Sequence, residues 1–227
     1  MPESNPTQFH SELQIPRREG LGRWWKFAGA VAFLGLVTII FGLSAIPSFL
    51  AVTHRVPTRY LVVEGWVPEY VLLAAVKEFR TGGYQQVFTT GGPFFRSQEL
   101  VAHVDYAHRG EAALRRLGLS TNEVTAVPAP PTHRDRTYLS AIALRDYLKV
   151  NDFHLESVNV LSLGAHTRRS GLCFGRAFGA KVSIGTIAIE NLEYDPNRWW
   201  KFSEGVKEIA GESLAFTYAW LNADYGN

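Results

Sequence analysis

The sequence predicts an α/β protein: a Rossmann-like, three-layer, doubly wound parallel sheet of about five strands, preceded by one transmembrane helix. Three observations predict it. Residues 27–53 form a run of 27 positions with no charged residue. Beyond residue 56, short apolar runs alternate with segments of helical period, the pattern of a parallel sheet covered on both faces. Polar, glycine-bearing and basic residues gather in the turns that leave the short runs, where an open α/β sheet binds its ligands.

Residues 1–26 are polar, with Pro, Ser and Gln and no usable hydrophobic period, and are expected to form a disordered cytoplasmic tail. The run at 27–53 exceeds the roughly 20 apolar residues that cross a hydrocarbon core. It is also longer than the apolar region of a cleaved signal peptide and has no clean Ala-x-Ala site, so it is expected to be a signal anchor. Trp24 and Trp25 suit an interfacial belt. Arg17, Arg18, Arg23 and Lys26 precede the run, whereas only Arg55 and Arg59 follow closely. That bias puts the amino terminus in the cytoplasm and residues 54–227 outside it as the α/β domain.

The first strand, 60–63, ends at Glu64-Gly65-Trp66. Pro68 suits a helix start, and Val71, Leu72, Ala75, Val76 and Phe79 form an apolar helical face closed by Gly82-Gly83. A second strand, 87–89, runs into Thr90-Gly91-Gly92-Pro93, and a helix over 97–117 stops at Gly118. The third strand, 124–127, meets Pro128-Ala129-Pro130-Pro131. Asp135 is the expected N-cap of a helix through Leu148, with Leu139, Ile142, Ala143 and Leu148 inward. Strand four, 158–163, feeds a helix closed by Gly179. Strand five, 182–189, precedes a last helix over 199–223.

A strand order of 3-2-1-4-5 would set Glu64, Gly65 and Trp66 across the crevice from Gly164, Ala165 and His166, with Thr90, Gly91 and Gly92 beside them. Arg168 and Arg169 fall in a first helical turn, where the macrodipole disfavours cations. Arg134 and Arg136, flanking Asp135 and followed by Thr137, repeat that pattern at the preceding helix. A bound anion would reconcile both, since N–H groups, guanidinium forks and dipole would all meet negative charge. The paired glycines would complete the cradle. His166 is the candidate acid or base, with Glu64, Glu99 or Glu212 to orient it or act as base. The alternative is that these arginines make only salt bridges or face solvent. Glu204, Glu208 and Glu212, spaced four apart, match a solvated face, and Cys173 lies in an apolar helical pattern, as a core residue would.

Some classes are unsupported. Of 23 Lys and Arg, four precede residue 27, as do three of 21 Asp and Glu, so the remainder is nearly balanced and lacks the basic patch of a nucleic-acid binder. One cysteine allows no internal disulfide. Metal-ligand spacings, Walker loops, GxGxxG turns and nucleophile elbows are missing as well.

The motif order over residues 58–222 resembles that of the YdcF/SanA/ElyC-like envelope protein family. Thr90-Gly91-Gly92 followed by Glu99 corresponds to its Ser-Gly-Gly and glutamate, and His166 with Arg169 to its His-x-x-Arg. Thr137 and Ala141 match its Thr-x-x-Asn-Ala, where Ser140 replaces the asparagine; Glu64-Gly65-Trp66-Val67-Pro68 stands for its opening turn. These departures suggest a divergent branch. The resemblance implies a bacterial inner-membrane protein with a single span and a periplasmic domain. It also implies a role in cell-envelope integrity, peptidoglycan assembly or lipid-carrier metabolism, with an anionic small-molecule or lipid-linked ligand. S-adenosylmethionine binding has been associated with the family, but the residues here specify no cofactor.

Overall fold

The computed structural model describes residues 19–94 and 105–222. The chain divides into two compact units, one ending at Leu43 and one beginning at Ser44. Helix α1 (Glu19–Leu50) starts inside the tail expected to reach residue 26, of which residues 1–18 lie outside the described part. Its stretch Trp24–Leu50 is long and apolar enough to cross a membrane.

The second unit holds β1 (Tyr60–Glu64), β2 (Gln86–Gly91), β3 (Val124–Pro128), β4 (Ser157–Leu163) and β5 (Ser183–Ile189). All pairings are parallel and the order is β3-β2-β1-β4-β5, so the chain is doubly wound with the switch between β1 and β4. Helix α1 stops at Leu50, three residues before the end of the uncharged run, because the chain then pairs with the open edge of β5. His54 and Thr186 exchange two backbone hydrogen bonds of 2.8 Å, and the Thr53 hydroxyl accepts from Ala188 N. That cover blunts an exposed strand edge.

Helices α2 (Glu69–Thr81) and α3 (Tyr106–Arg116) lie on one face of the sheet, and α4 (Arg136–Val150) and α5 (His166–Phe178) on the other. Strand alternation sorts the core. Leu61, Val63, Leu161 and Leu163 pack with Val71, Leu72, Phe79 and Leu114; Val62, Phe88, Val158 and Val160 pack with Leu144, Leu148 and Phe174. The inward set of α4 is Thr137, Ser140, Ala141, Leu144 and Leu148, whereas Leu139, Ile142 and Ala143 are half-buried. The expected stripe was therefore turned too far, and the true one carries two hydroxyls at its amino-terminal end. Asp135 does precede α4, but its backbone is left-handed (φ 53°) and its side chain caps nothing.

Two other boundaries differ from expectation. Helix α3 is capped by Asp105, which accepts from His108 N at 2.8 Å; the earlier part of the expected helix, with Glu99, lies outside the described residues. The last helix is broken: a 3₁₀ turn (Pro196–Lys201) is separated from α6 (Ser203–Leu221) by Phe202 in extended conformation. Pro196 opens the turn, and buried Trp199 packs with Leu50, Ala165 and Ile209.

Candidate functional site

Three neighbouring strands change character at the same level. One residue pair beyond Val62, Phe88 and Val160, on the same face, stand Glu64, Thr90 and Ser162, all buried. The apolar row that packs α4 and α5 thus ends in a polar layer at the carboxyl ends of the strands. Helix α5 continues the layer with His166 and Ser170 one turn apart, and α4 with Thr137 and Ser140.

His166 lies at the centre. Its Nδ1 is 3.0 Å from Glu212 Oε1 and its Nε2 is 3.4 Å from Glu64 Oε1. Trp66 meets the imidazole edge-on, ring centres 4.9 Å apart. Arg169 Nε and Nη2 donate to the two oxygens of Glu212 at 2.8 and 2.9 Å, and Nη1 donates to the Thr137 hydroxyl at 3.1 Å. Ser170 donates to Glu64 Oε2 at 2.9 Å, and Ser162 donates to the same oxygen. Two carboxylates, one guanidinium and one imidazole therefore form a single buried network.

The network charges its own histidine. Burial works against the imidazolium, but the Glu64 charge and the Glu212 hydrogen bond outweigh it and raise His166 to about 9. Burial also works against the Glu64 carboxylate, yet the imidazolium and the two seryl hydroxyls hold it below its ordinary value. Glu212, opposed likewise by burial, is held at about 2 by His166 and Arg169. Cys173 lines the same space, but burial pushes its thiol up to about 12, which makes it an inert core residue at neutral pH.

A cleft of about 460 Å³ opens over this layer. Its walls include Glu64, Trp66, Thr90, Gly91, Gly92, Asp135, Arg136, Thr137, His166, Arg169 and Glu212, so most of the expected site residues meet in one place. Gly65 lies behind the wall, where a Cβ would come within 1.9 Å of Tyr106 O; Gly91 likewise admits the Tyr106 side chain. Gly164 sits in a left-handed turn (φ 41°) below the tip of α5. Among the described residues, buried Thr90 Oγ1 has no hydrogen-bond partner, and His166 Nε2 has only its 3.4 Å ion-pair contact with Glu64.

Other expected members do not line the cleft. Arg168 turns away: its guanidinium lies 3.9 Å over the Phe49 ring and donates to Phe49 O at the end of α1. A cation is favoured at that helix terminus. Arg134 is exposed on the loop before α4 and is not among the wall residues. Glu208 and Glu212 do not form a solvated face. Glu208 accepts from Ala165 N at 3.0 Å and Glu212 holds Arg169, while only Glu204 pairs with a lysine, Lys207, at the surface.

This resolves the electrostatic oddity at α5. The negative charge at its amino-terminal tip comes from two carboxylates of α6, so no external anion is needed there. At the tip of α4, Asp135 brings a carboxylate but makes no capping hydrogen bond. Arg136 is exposed on the cleft wall with no carboxylate partner among the described residues. Sequence reasoning missed Ser162, Ser170, Tyr106, Tyr138 and Tyr218. A signal for the first two existed: Ser162 breaks the apolar row of strand four at the level of Glu64, and Ser170 follows His166 by one helical turn. Set against protein-family models, curated proteins and solved structures, the chain finds no match in any of the three.

Proposed function

We propose that this is a membrane-anchored cell-envelope protein whose cleft receives the phosphate of a phosphorylated envelope intermediate, from peptidoglycan or lipid-carrier metabolism, as its resemblance to the YdcF/SanA/ElyC-like family implies. The observation that carries the phosphate reading is buried Thr90 Oγ1, without a hydrogen-bond partner among the described residues, beside Arg136, which has no carboxylate partner among them. A buried hydroxyl without a partner calls for an explanation, and an anionic ligand supplies an acceptor for it. The phosphate would sit between Arg136 with the first N–H groups of α4 and the Thr90-Gly91-Gly92 strand end.

The raised value of His166, about 9, suits it to act as an acid rather than a base at neutral pH. It would donate Nε2–H to a phosphate oxygen or to the oxygen of a departing alcohol, the role expected in a phosphate-ester hydrolase or transferase. A second reading, ligand binding without turnover, is favoured by one fact. The hydroxyls of Ser162 and Ser170 are committed to Glu64, and the Cys173 thiol is held protonated.

Titration of the full-length protein in detergent with inorganic phosphate and with a short-chain prenyl phosphate, read by calorimetry, tests the reading. Losing a charge-assisted hydrogen bond of about 1.5–3 kcal/mol should weaken binding of Arg136→Ala about ten- to a hundredfold. Turnover abolished by His166→Gln, with binding kept, identifies an enzyme, whereas binding without product identifies a binding module. No saturable binding, or full affinity in Arg136→Ala, overturns the phosphate seat.

A further inference from the structure

Helix α6 has an outer face that a water-facing helix should not have. Val206, Ala210, Leu214, Thr217, Tyr218 and Leu221 recur at three- and four-residue spacings, and all are exposed. Leu214 is 74% exposed, Leu221 66% and Trp220 60%. Past Lys207 the helix has only two charged residues, Glu208 and Glu212, and both turn inward to α5. Trp200 and Phe202, also exposed, extend the patch to the break before the helix. A contiguous apolar patch rich in aromatics marks a contact surface.

We infer that this face docks on the interfacial region of the lipid bilayer. Continuity with the apolar helix favours that occupant. The last turn of α1 packs directly on α6: Phe49 meets Phe216 edge-on at 5.7 Å, and Leu50 shares a buried cluster with Ile209. The chain therefore enters the α/β unit on the helix that bears the patch. Trp and Tyr among Leu and Val are the residues that settle at head-group depth. The far end of the helix is pinned for the task, because Arg176 of α5 donates to Trp220 O at 2.9 Å and to Asn222 O at 3.1 Å. Tyr218 belongs both to the patch and to the cleft wall, so docking sets the rim of the cleft at the membrane surface. The inference is independent of what the cleft binds.

The test uses the full-length chain reconstituted into vesicles of phosphatidylethanolamine and phosphatidylglycerol. An environment-sensitive fluorophore is placed on Leu214→Cys, on Leu221→Cys and, as a control on exposed Val150 at the end of α4, on Val150→Cys. Buried Cys173 stays unlabelled, which the unsubstituted protein verifies. Blue-shifted emission at 214 and 221, quenched by head-group-proximal spin-labelled lipids while position 150 is not, supports docking. Emission and quenching at 214 and 221 equal to those at 150 overturn it. A blue shift without lipid quenching, with disulfide crosslinking of Leu214→Cys between copies, also overturns it and assigns the face to a second copy of the chain.

Discussion

The charge state of His166 decides what the cleft offers a ligand, and Glu212→Gln perturbs it by removing one of the two carboxylates that raise it. Glu212 sits 3.0 Å from His166 Nδ1 and accepts two hydrogen bonds from Arg169. The substitution keeps the shape and removes the charge. It leaves Arg169, a largely buried cation, without its counter-charge, and the loss of one partner from a buried pair costs about 3–5 kcal/mol. The histidine gives a figure of similar size. Its value of about 9 against 6.5, at about 1.4 kcal/mol per tenfold in proton affinity, corresponds to stabilisation on the order of 3 kcal/mol. The two figures overlap, because the His166–Glu212 attraction enters both.

The pH dependence has a definite sign. The folded protein holds the His166 proton more tightly than the unfolded chain does, so this stabilisation is whole below about pH 6.5. It is lost as the pH rises through about 9. Glu212 behaves oppositely: its contribution is whole above about pH 4.5 and is lost as the pH falls toward about 2. Carbon-13-labelled histidine followed by NMR reads the His166 midpoint in the full-length protein, and urea unfolding in detergent reads the stability. The wild-type midpoint should lie well above 7. In Glu212→Gln it should fall by at least about one unit, with a stability loss of about 3–5 kcal/mol at neutral pH. A wild-type midpoint near 6.5, or one that Glu212→Gln leaves in place, refutes the view that the carboxylates charge the ring.

Gly164→Ala puts a Cβ within 2.5 Å of Glu208 Oε1 at φ 41°, and should cost about 1–3 kcal/mol, seen as a lower unfolding midpoint. Arg168→Ala should leave phosphate affinity unchanged, because its guanidinium is engaged on Phe49; the loss is about 1 kcal/mol of stability. Cys173, its thiol pushed up to about 12, should resist a thiol reagent at pH 8 until the chain is unfolded in urea, as a colorimetric assay will read.

How far the sequence could be read depended on range. Strands and helices announced themselves through local periodicity, and the reversal of strand order between the first and fourth strands followed from their alternation. The same locality limited the reading of charge. Arg168 and Arg169 are adjacent in sequence and looked equivalent at the tip of α5. One helical step of about 100° sends the first to the end of α1 and the second into the cleft. Spacing along a helix states which residues share a face; it does not state what that face meets.

Helix α6 shows what this ambiguity conceals. Glu204, Glu208 and Glu212 have the spacing of a solvated row, yet the row drifts about 40° with each four-residue step. Glu204 thus remains at the surface with Lys207, Glu208 reaches Ala165 N and Glu212 reaches His166. The opposite side of the same helix is then left to Leu214, Tyr218 and Leu221. With its carboxylates committed to α5, α6 has no charge left for its exposed face past Lys207. The features that stabilise the His166 imidazolium and those that make the outer face apolar are consequences of one distribution of residues. A charge moved from the inner side of α6 to the outer one, as in Glu212→Gln combined with Leu214→Glu, should therefore lower the His166 midpoint and reduce lipid quenching in one protein. If the double variant changes only one of these, the two faces of α6 are separable.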